Sequence, residues 1–176
     1  MLKSLFESEY LKNIGTLLGG SVSAQLILLL VSPILTRLFT PDDFGVFALF
    51  VAISSILGMI ANGRYQIAIL LPDKDEEGFH IFQLCILIAS IFSFIILLIG
   101  GGIHLLGFFK NSDLFNLWWW FPIAVLLQGF VQAFNSLFNR NKAYAQIAKG
   151  RLFGSIGIAL SSIAFGYLIM GAEGLI

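Results

Sequence analysis

The chain has 176 residues, of which 58% are hydrophobic and only 11% charged, with a mean hydropathy of +0.93. Soluble domains carry about 25% charged residues, so this deficit excludes a water-soluble globule and means that lipid contacts most of the surface. Ten basic residues balance ten acidic ones; net charge selects no partner, no nucleic acid is expected, and the positions of the charges carry the information instead.

The first thirteen residues read as a cytoplasmic interfacial segment. Leu2 to Leu11 can form a short helix with Leu2, Leu5, Phe6 and Tyr10 on one side, lying at the membrane surface. Glu7 and Glu9 beside Lys3 and Lys12 argue against a cleaved signal peptide. The transmembrane domain follows over 14–176. Crossing about 30 Å of hydrocarbon takes roughly 20 helical residues. Five stretches qualify: Ile14–Leu35, Phe44–Ala61 (reaching Leu71 if the helix continues), Phe79–Leu106, Leu117–Phe138 and Leu152–Met170. Their continuous apolar runs lack the alternation of barrel strands, so the expected fold is all-α, a polytopic transmembrane helix bundle.

Local signals refine this. Thr40-Pro41-Asp42-Asp43 offers a capping hydroxyl, a proline at the first helical position and carboxylates at the positive end of the helix dipole, so a helix begins there. The short turn before it makes the first two spans antiparallel neighbours. Pro33 is expected to kink the first span, and Gly100-Gly101-Gly102 to loosen the end of the third. With the N-terminus cytoplasmic, Lys3, Lys12, Arg64, Lys74, Arg140, Lys142, Lys149 and Arg151 fall inside, and Arg37 and Lys110 outside. Eight against two satisfies the positive-inside rule and puts Trp118, Trp119 and Trp120 at the external interface. Gly171-Ala172-Glu173-Gly174-Leu175-Ile176 reads as a turn entering another helix, so a longer protein is expected.

Polar side chains at membrane depth are expensive and therefore informative. Gln128, Gln132, Asn135 and Asn139 follow at spacings of four, three and four, which puts four amides on one face of the fourth span. Ser21, Gln25, Ser32 and Thr36 repeat the pattern more weakly in the first. Two readings stand open: interhelical hydrogen bonds at about 0.6 kcal/mol each, or a wet cavity lined by amides. Asn62-Gly63-Arg64-Tyr65-Gln66 separates two apolar runs. If the helix continues to Leu71, Arg64 lies within the membrane, where a guanidinium fork suits phosphate oxygens; otherwise it snorkels to the headgroups. The basic run from Arg140 to Arg151 reads as the anchor of a cytoplasmic loop, with binding of anionic headgroups as the alternative.

Other chemistry is thin. Cys85 is the single cysteine, His80 and His104 lie at opposite ends of one span, and no nucleophile–base pair, phosphate-cradling loop or metal-ligand spacing is present. Neither enzymatic activity nor a cofactor or metal is expected.

In order along the chain, Leu35-Thr36-Arg37-Leu38-Phe39-Thr40-Pro41-Asp42-Asp43-Phe44-Gly45-Val46-Phe47-Ala48, then Arg64-Tyr65-Gln66-Ile67-Ala68-Ile69-Leu70-Leu71-Pro72 with the acidic Asp73 to Glu77, then Asn139-Arg140-Asn141-Lys142 and Gly171–Ile176 resemble bacterial polysaccharide flippases. These are the O-antigen and capsule repeat-unit (Wzx-like) exporters of the multidrug/oligosaccharidyl-lipid/polysaccharide superfamily. The order and spacing of the motifs carry the likeness; Gln66 departs from it, since a glutamate is more usual there. The resemblance implies about twelve to fourteen helices in two bundles around a cationic cavity, working by alternating access, of which this chain is most of the N-terminal bundle. It implies export of an undecaprenyl-pyrophosphate-linked oligosaccharide across the bacterial inner membrane. Membrane lipids and the polymerase or chain-length machinery are the other implied partners. Arg64 is the candidate for the pyrophosphate, and Gln25, Gln128, Gln132 and Asn135 for the sugar; Asn62 and Tyr65 are further candidates for binding the substrate.

Alternatives keep the membrane assignment. A drug or cation antiporter of the same superfamily needs an embedded carboxylate, yet Asp42, Asp43 and Asp113 sit at helix ends or in loops. A glycosyltransferase or polymerase needs a larger exposed catalytic loop. A non-transporting fragment or scaffold needs neither.

Overall fold

In hydrocarbon a helix alone pairs all of its own backbone polar groups, and helices are what the apolar runs form. A computed structural model describes residues 2–105 and 117–169, with no strand among them. Five helices follow one another: α1 (Leu2–Leu38), α2 (Pro41–Ile60), α3 (Asp75–Leu105), α4 (Trp120–Arg140) and α5 (Tyr144–Ile169). A 3₁₀ segment, Tyr65–Leu70, lies between α2 and α3, and a 3₁₀ turn, Leu117–Trp119, leads into α4. Asn13–Leu38, Pro41–Ile60, Asp75–Ile103, Trp120–Arg140 and Tyr144–Ala164 are each long and apolar enough to cross a membrane. The chain is an all-α transmembrane bundle, with the five spans in the expected order.

Several helix ends differ from expectation. α2 starts at Pro41 with Asp42 and Asp43 in its first turn, as the sequence indicates. α3 starts at Asp75 rather than Phe79, because Asp75, Glu76 and Glu77 form its first turn and are stabilised there by the helix dipole. α5 starts at Tyr144, eight residues before Leu152. Lys149 and Arg151 are thus helical, and only Asn141–Ala143 connect α4 to α5, with Lys142 at φ 51°. Charge in a sequence marks proximity to water, not the end of a helix. α1 is one element from Leu2 onward, without a break near residue 13, and it continues through Pro33, whose carbonyl accepts from Thr36 Oγ1 at 3.1 Å. The interfacial face of residues 2–11, the external Lys110 with Asp113, and Gly171–Ile176 all lie outside the described side chains.

The helices form two compact units. In one, α1 lies along α5. A Cβ added to Gly20 would come within 2.6 Å of Ala148 Cβ and 2.8 Å of its Cα, so the backbones touch. Contacts rise in step along both helices, from Gly20 against Ala148, through Ser21 on Arg151, to Leu28 beside Ile158. The two helices therefore run parallel, as two odd-numbered spans must. The buried α5 residues Ala148, Ser155, Ala159 and Ser162 fall on one helical stripe.

The other unit comprises α2, α3, α4 and the 3₁₀ segments. Towards one end Phe50, Ala61, Ile96, Phe121 and Val125 form one buried cluster, with the Phe50 and Phe121 rings 4.6 Å apart. Towards the other, Ile69 packs with Phe82, Cys85 and Ala133. The glycine triplet does not loosen α3, which runs on to Leu105. Its role at Gly100 is steric: an added Cβ would collide with the Nε1 edge of the Trp118 indole, so the indole rests on bare backbone. Trp119 and Trp120 remain exposed.

Gly100→Ala is accordingly expected to displace the Trp118 ring and lower stability by about 1–3 kcal/mol, the usual cost of overpacking. Gly101, where an added Cβ would meet nothing within 4 Å, should accept alanine without loss. Thermal unfolding in detergent, followed by tryptophan fluorescence, separates the two.

Candidate functional site

The helix does not continue from α2 to Leu71. It stops at Ile60, and the chain turns through Gly63 (φ 53°) and Arg64 (φ 64°) before resuming as the 3₁₀ segment Tyr65–Leu70. Left-handed backbone is easy for glycine but costs a residue with a Cβ about 1–2 kcal/mol. The apolar run after Arg64 suggests a continuous helix; the positive φ angles at Gly63 and Arg64 are what forbid it.

A break in a transmembrane helix frees backbone groups that lipid cannot satisfy. Part of the repair is local: Gly63 N–H donates to Ile60 O at 2.7 Å, Tyr65 N–H to Asn62 O at 2.9 Å and Leu71 N–H to Ala68 O at 3.1 Å. The rest comes from side chains of α4. Gln132 Nε2 donates to Gly58 O at 2.9 Å, and Arg140 Nη1 donates to Ile69 O at 2.8 Å. In return Asn62, fully buried, donates from Nδ2 to Gly129 O at 2.8 Å, and Gln66 Nε2 donates to Gln132 Oε1 at 3.2 Å.

These bonds fix the depth of Arg64. Asn62 and Gln66 flank it and are tied to Gly129 and Gln132, the tenth and thirteenth of the 21 residues of α4. At about 1.5 Å per residue this is the middle of a membrane-crossing helix. Arg64 is exposed there, and its guanidinium has no partner among the described residues. Tyr65 beside it is half exposed.

The amide stripe of α4 is divided. Gln128 lies over Gly58, its Oε1 where a Cβ would be, and Gln132 bonds the same residue's carbonyl; both turn towards α2. Asn135 and Asn139 are exposed. The interhelical reading of the stripe thus holds for Gln132 and leaves Asn135 open, while Asn62, outside the stripe, is tied to α4 from the other side. Gln25 belongs to the α1–α5 unit and is exposed on α1. Asn62 Oδ1, Gln66 Oε1 and Ser54 Oγ are buried without a hydrogen-bond donor, so the network is only partly satisfied.

Arg140 takes part in this network, which sequence reasoning misses; its place in a basic run suggests a loop anchor or a contact with anionic headgroups. Its side chain is 11% exposed and also reaches Lys74 O at 3.0 Å and Asp75 Oδ1 at 3.2 Å. Gly78 gives it room: a Cβ there would sit 2.9 Å from the guanidinium carbon. Arg140 lies two helical turns beyond Gln132 on the same face of α4, a spacing that is legible. Its partners, two carbonyls, are not.

A family model described as polysaccharide biosynthesis protein matches residues 34–176, from the end of α1 through every later element. The chain belongs to this family. No curated protein and no solved structure matches it. As a member of the polysaccharide biosynthesis family with five helices, among the described residues, long and apolar enough to cross a membrane, the chain is a multi-pass membrane protein with a role in making polysaccharide, and the matched region contains the whole of the helix break and its repair.

Arg140→Ala should take the side-chain donor from Ile69 O, leave Lys74 O with only the 3.3 Å bond from Gly78 N–H, and cost about 2–3 kcal/mol, in the range for hydrogen bonds to a charged group. Arg140→Lys, with a point charge in place of a fork, should recover only part. Thermal unfolding measures the loss, and faster proteolysis around Leu71–Lys74 locates it.

Proposed function

We propose that this protein moves an undecaprenyl-pyrophosphate-linked oligosaccharide from the cytoplasmic to the periplasmic leaflet of the bacterial inner membrane, by alternating access and without covalent chemistry. The observation that carries the reading is Arg64, an exposed, unpartnered guanidinium level with the middle of α4. A charge at that depth costs about 2.5–3.5 kcal/mol on insertion scales, and its left-handed backbone adds to the cost. Both penalties at one residue support a functional role for it. A planar fork of N–H donors suits the oxygens of a pyrophosphate. Broken transmembrane helices are where transporters of several folds place their substrates.

The cargo also brings a polar sugar and a long lipid tail. Asn135, exposed about one turn from Gln132 towards Arg140, and Tyr65, next to Arg64, supply sugar contacts in this reading. Asn62, Gln128 and Gln132 hold the break closed against α4; they reach cargo only when it rearranges, and the undonated acceptors on Asn62 and Gln66 weaken what must be undone. A cytoplasmic N-terminus does not depend on Arg64. Without it the basic residues assigned inside and outside stand at seven against two, still the arrangement that the positive-inside rule demands.

In cells whose surface polysaccharide depends on this protein, Arg64→Ala is expected to abolish export at unchanged protein level, and Arg64→Lys to restore part of it. Normal surface polysaccharide in Arg64→Ala would remove Arg64 from the mechanism. In a Cys85→Ala background, Asn135→Cys should react with a membrane-impermeant polar thiol reagent, while Ala133→Cys, at a fully buried position, should not. Equal protection at both positions would mean that Asn135 faces no aqueous path.

A further inference from the structure

The α1–α5 unit holds a second cation that the proposed transport does not use. Arg151 is the eighth residue of α5, and instead of extending towards the helix end its Nη1 donates to Ser21 Oγ on α1, which in turn donates to Leu17 O at 2.8 Å. No carboxylate lies within salt-bridging distance of it among the described residues. The guanidinium is therefore held in place with its charge unbalanced.

It opens into a groove of about 400 Å³ between the two helices, where Ser21 and Gln25 face Arg151 and Ser155, and Leu28 and Ile158 close the far end. Ser155 Oγ is committed to Leu152 O at 2.9 Å, and the amide of Gln25 has no partner among the described residues. A second groove, of about 340 Å³, shares Ser21 and Gln25 and continues along Val22, Leu26 and Leu29, all of them exposed. Polar head and apolar track are thus continuous.

We infer that this paired groove binds one anionic glycerophospholipid of the surrounding bilayer. Its phosphodiester lies on Arg151 and Ser21, its headgroup hydroxyls on Gln25, and one acyl chain along Val22, Leu26 and Leu29. A charge-assisted fork on a phosphate oxygen is the strongest contact available to Arg151 in lipid. The stoichiometry selects the lipid. A single guanidinium balances the single charge of a phosphodiester, whereas a pyrophosphate leaves negative charge uncompensated and a zwitterionic lipid brings its own cation. This assigns Gln25 to a headgroup rather than to a sugar, and the site is independent of Arg64.

The test is native mass spectrometry of the whole protein, purified in detergent and titrated with phosphatidylglycerol, phosphatidylcholine or undecaprenyl pyrophosphate. Phosphatidylglycerol should be retained roughly fivefold better than phosphatidylcholine, the factor expected for one basic residue at an anionic surface. Arg151→Gln should erase that preference with helicity unchanged by circular dichroism, Arg151→Lys should keep part of it, and Arg64→Ala should leave it intact. Gln25→Leu, at an exposed position, should weaken phosphatidylglycerol retention even if Arg151→Gln does not fold. Equal retention of the two phospholipids by the unaltered protein, a preference that survives in Arg151→Gln, or undiminished phosphatidylglycerol retention in Gln25→Leu would overturn the inference. Displacement of phosphatidylglycerol by equimolar undecaprenyl pyrophosphate would overturn it too, by giving the groove to the cargo.

Discussion

Everything in the α2–α4 unit depends on one constraint: a transmembrane helix that breaks must have its freed carbonyls paired by something other than water. Gly58 O and Ile69 O mark the two sides of the break, and Gln132 and Arg140 of α4 pair them. A neutral amide serves in the middle of the span, and the charged fork serves near the end, where Arg140 also meets Asp75 and the Lys74 carbonyl. The order is what dielectric cost demands, since an amide loses far less than a guanidinium on leaving water. Arg64 inverts it. Arg64, level with the amides, pairs no carbonyl among the described residues.

Close approach makes this repair possible. An amide reaches a carbonyl across two helices only if the backbones are near, and small residues allow that. A Cβ on Gly129 would come within 2.7 Å of Ala89 Cβ and 3.5 Å of Ala61 Cβ, and one on Gly58 would collide with Gln128. The α1–α5 pair uses the same device at Gly20 and Ala148, with Arg151 and Ser21 as the polar link. In lipid no hydrophobic drive brings helices together, so bare backbone and a few hydrogen bonds do the work that greasy cores do in water.

Much of the fold was legible because the bilayer simplifies the problem. Length and hydropathy alone number the spans, and Pro41 with Asp42 and Asp43 places the start of α2. What failed was the assumption that charge ends a helix. Asp75–Glu77 open α3 and Lys149 and Arg151 ride on α5, since a helix is free to extend past the hydrocarbon into the headgroups. Of the candidate site, the cluster Asn62–Gln66 and the stripe Gln128–Asn135 were visible as polar residues where polarity is costly. Their pairing was not, because hydrogen bonds to main-chain carbonyls leave no signature in side-chain identity. Nor was the break itself: Gly63 permits a left-handed turn but does not require one, and the ties of Asn62 to Gly129, of Gln66 to Gln132, of Gln132 to Gly58 and of Arg140 to Ile69 hold the chain there.

The partial satisfaction of this network bears on how such a protein would work. A fully paired polar cluster in a low dielectric is rigid, and an apolar interface slides without a preferred position; a transporter needs two defined states of comparable energy. At the break, Asn62 and Gln66 each donate one bond and leave an acceptor undonated, and Ser54 Oγ is left alone nearby. An alternative arrangement that trades the Gly129 and Gln132 contacts for others would therefore lose little. The arginine that sits between those two ties moves with the segment they hold, so a charge arriving at Arg64 acts on the part of the molecule least committed to its present pairing.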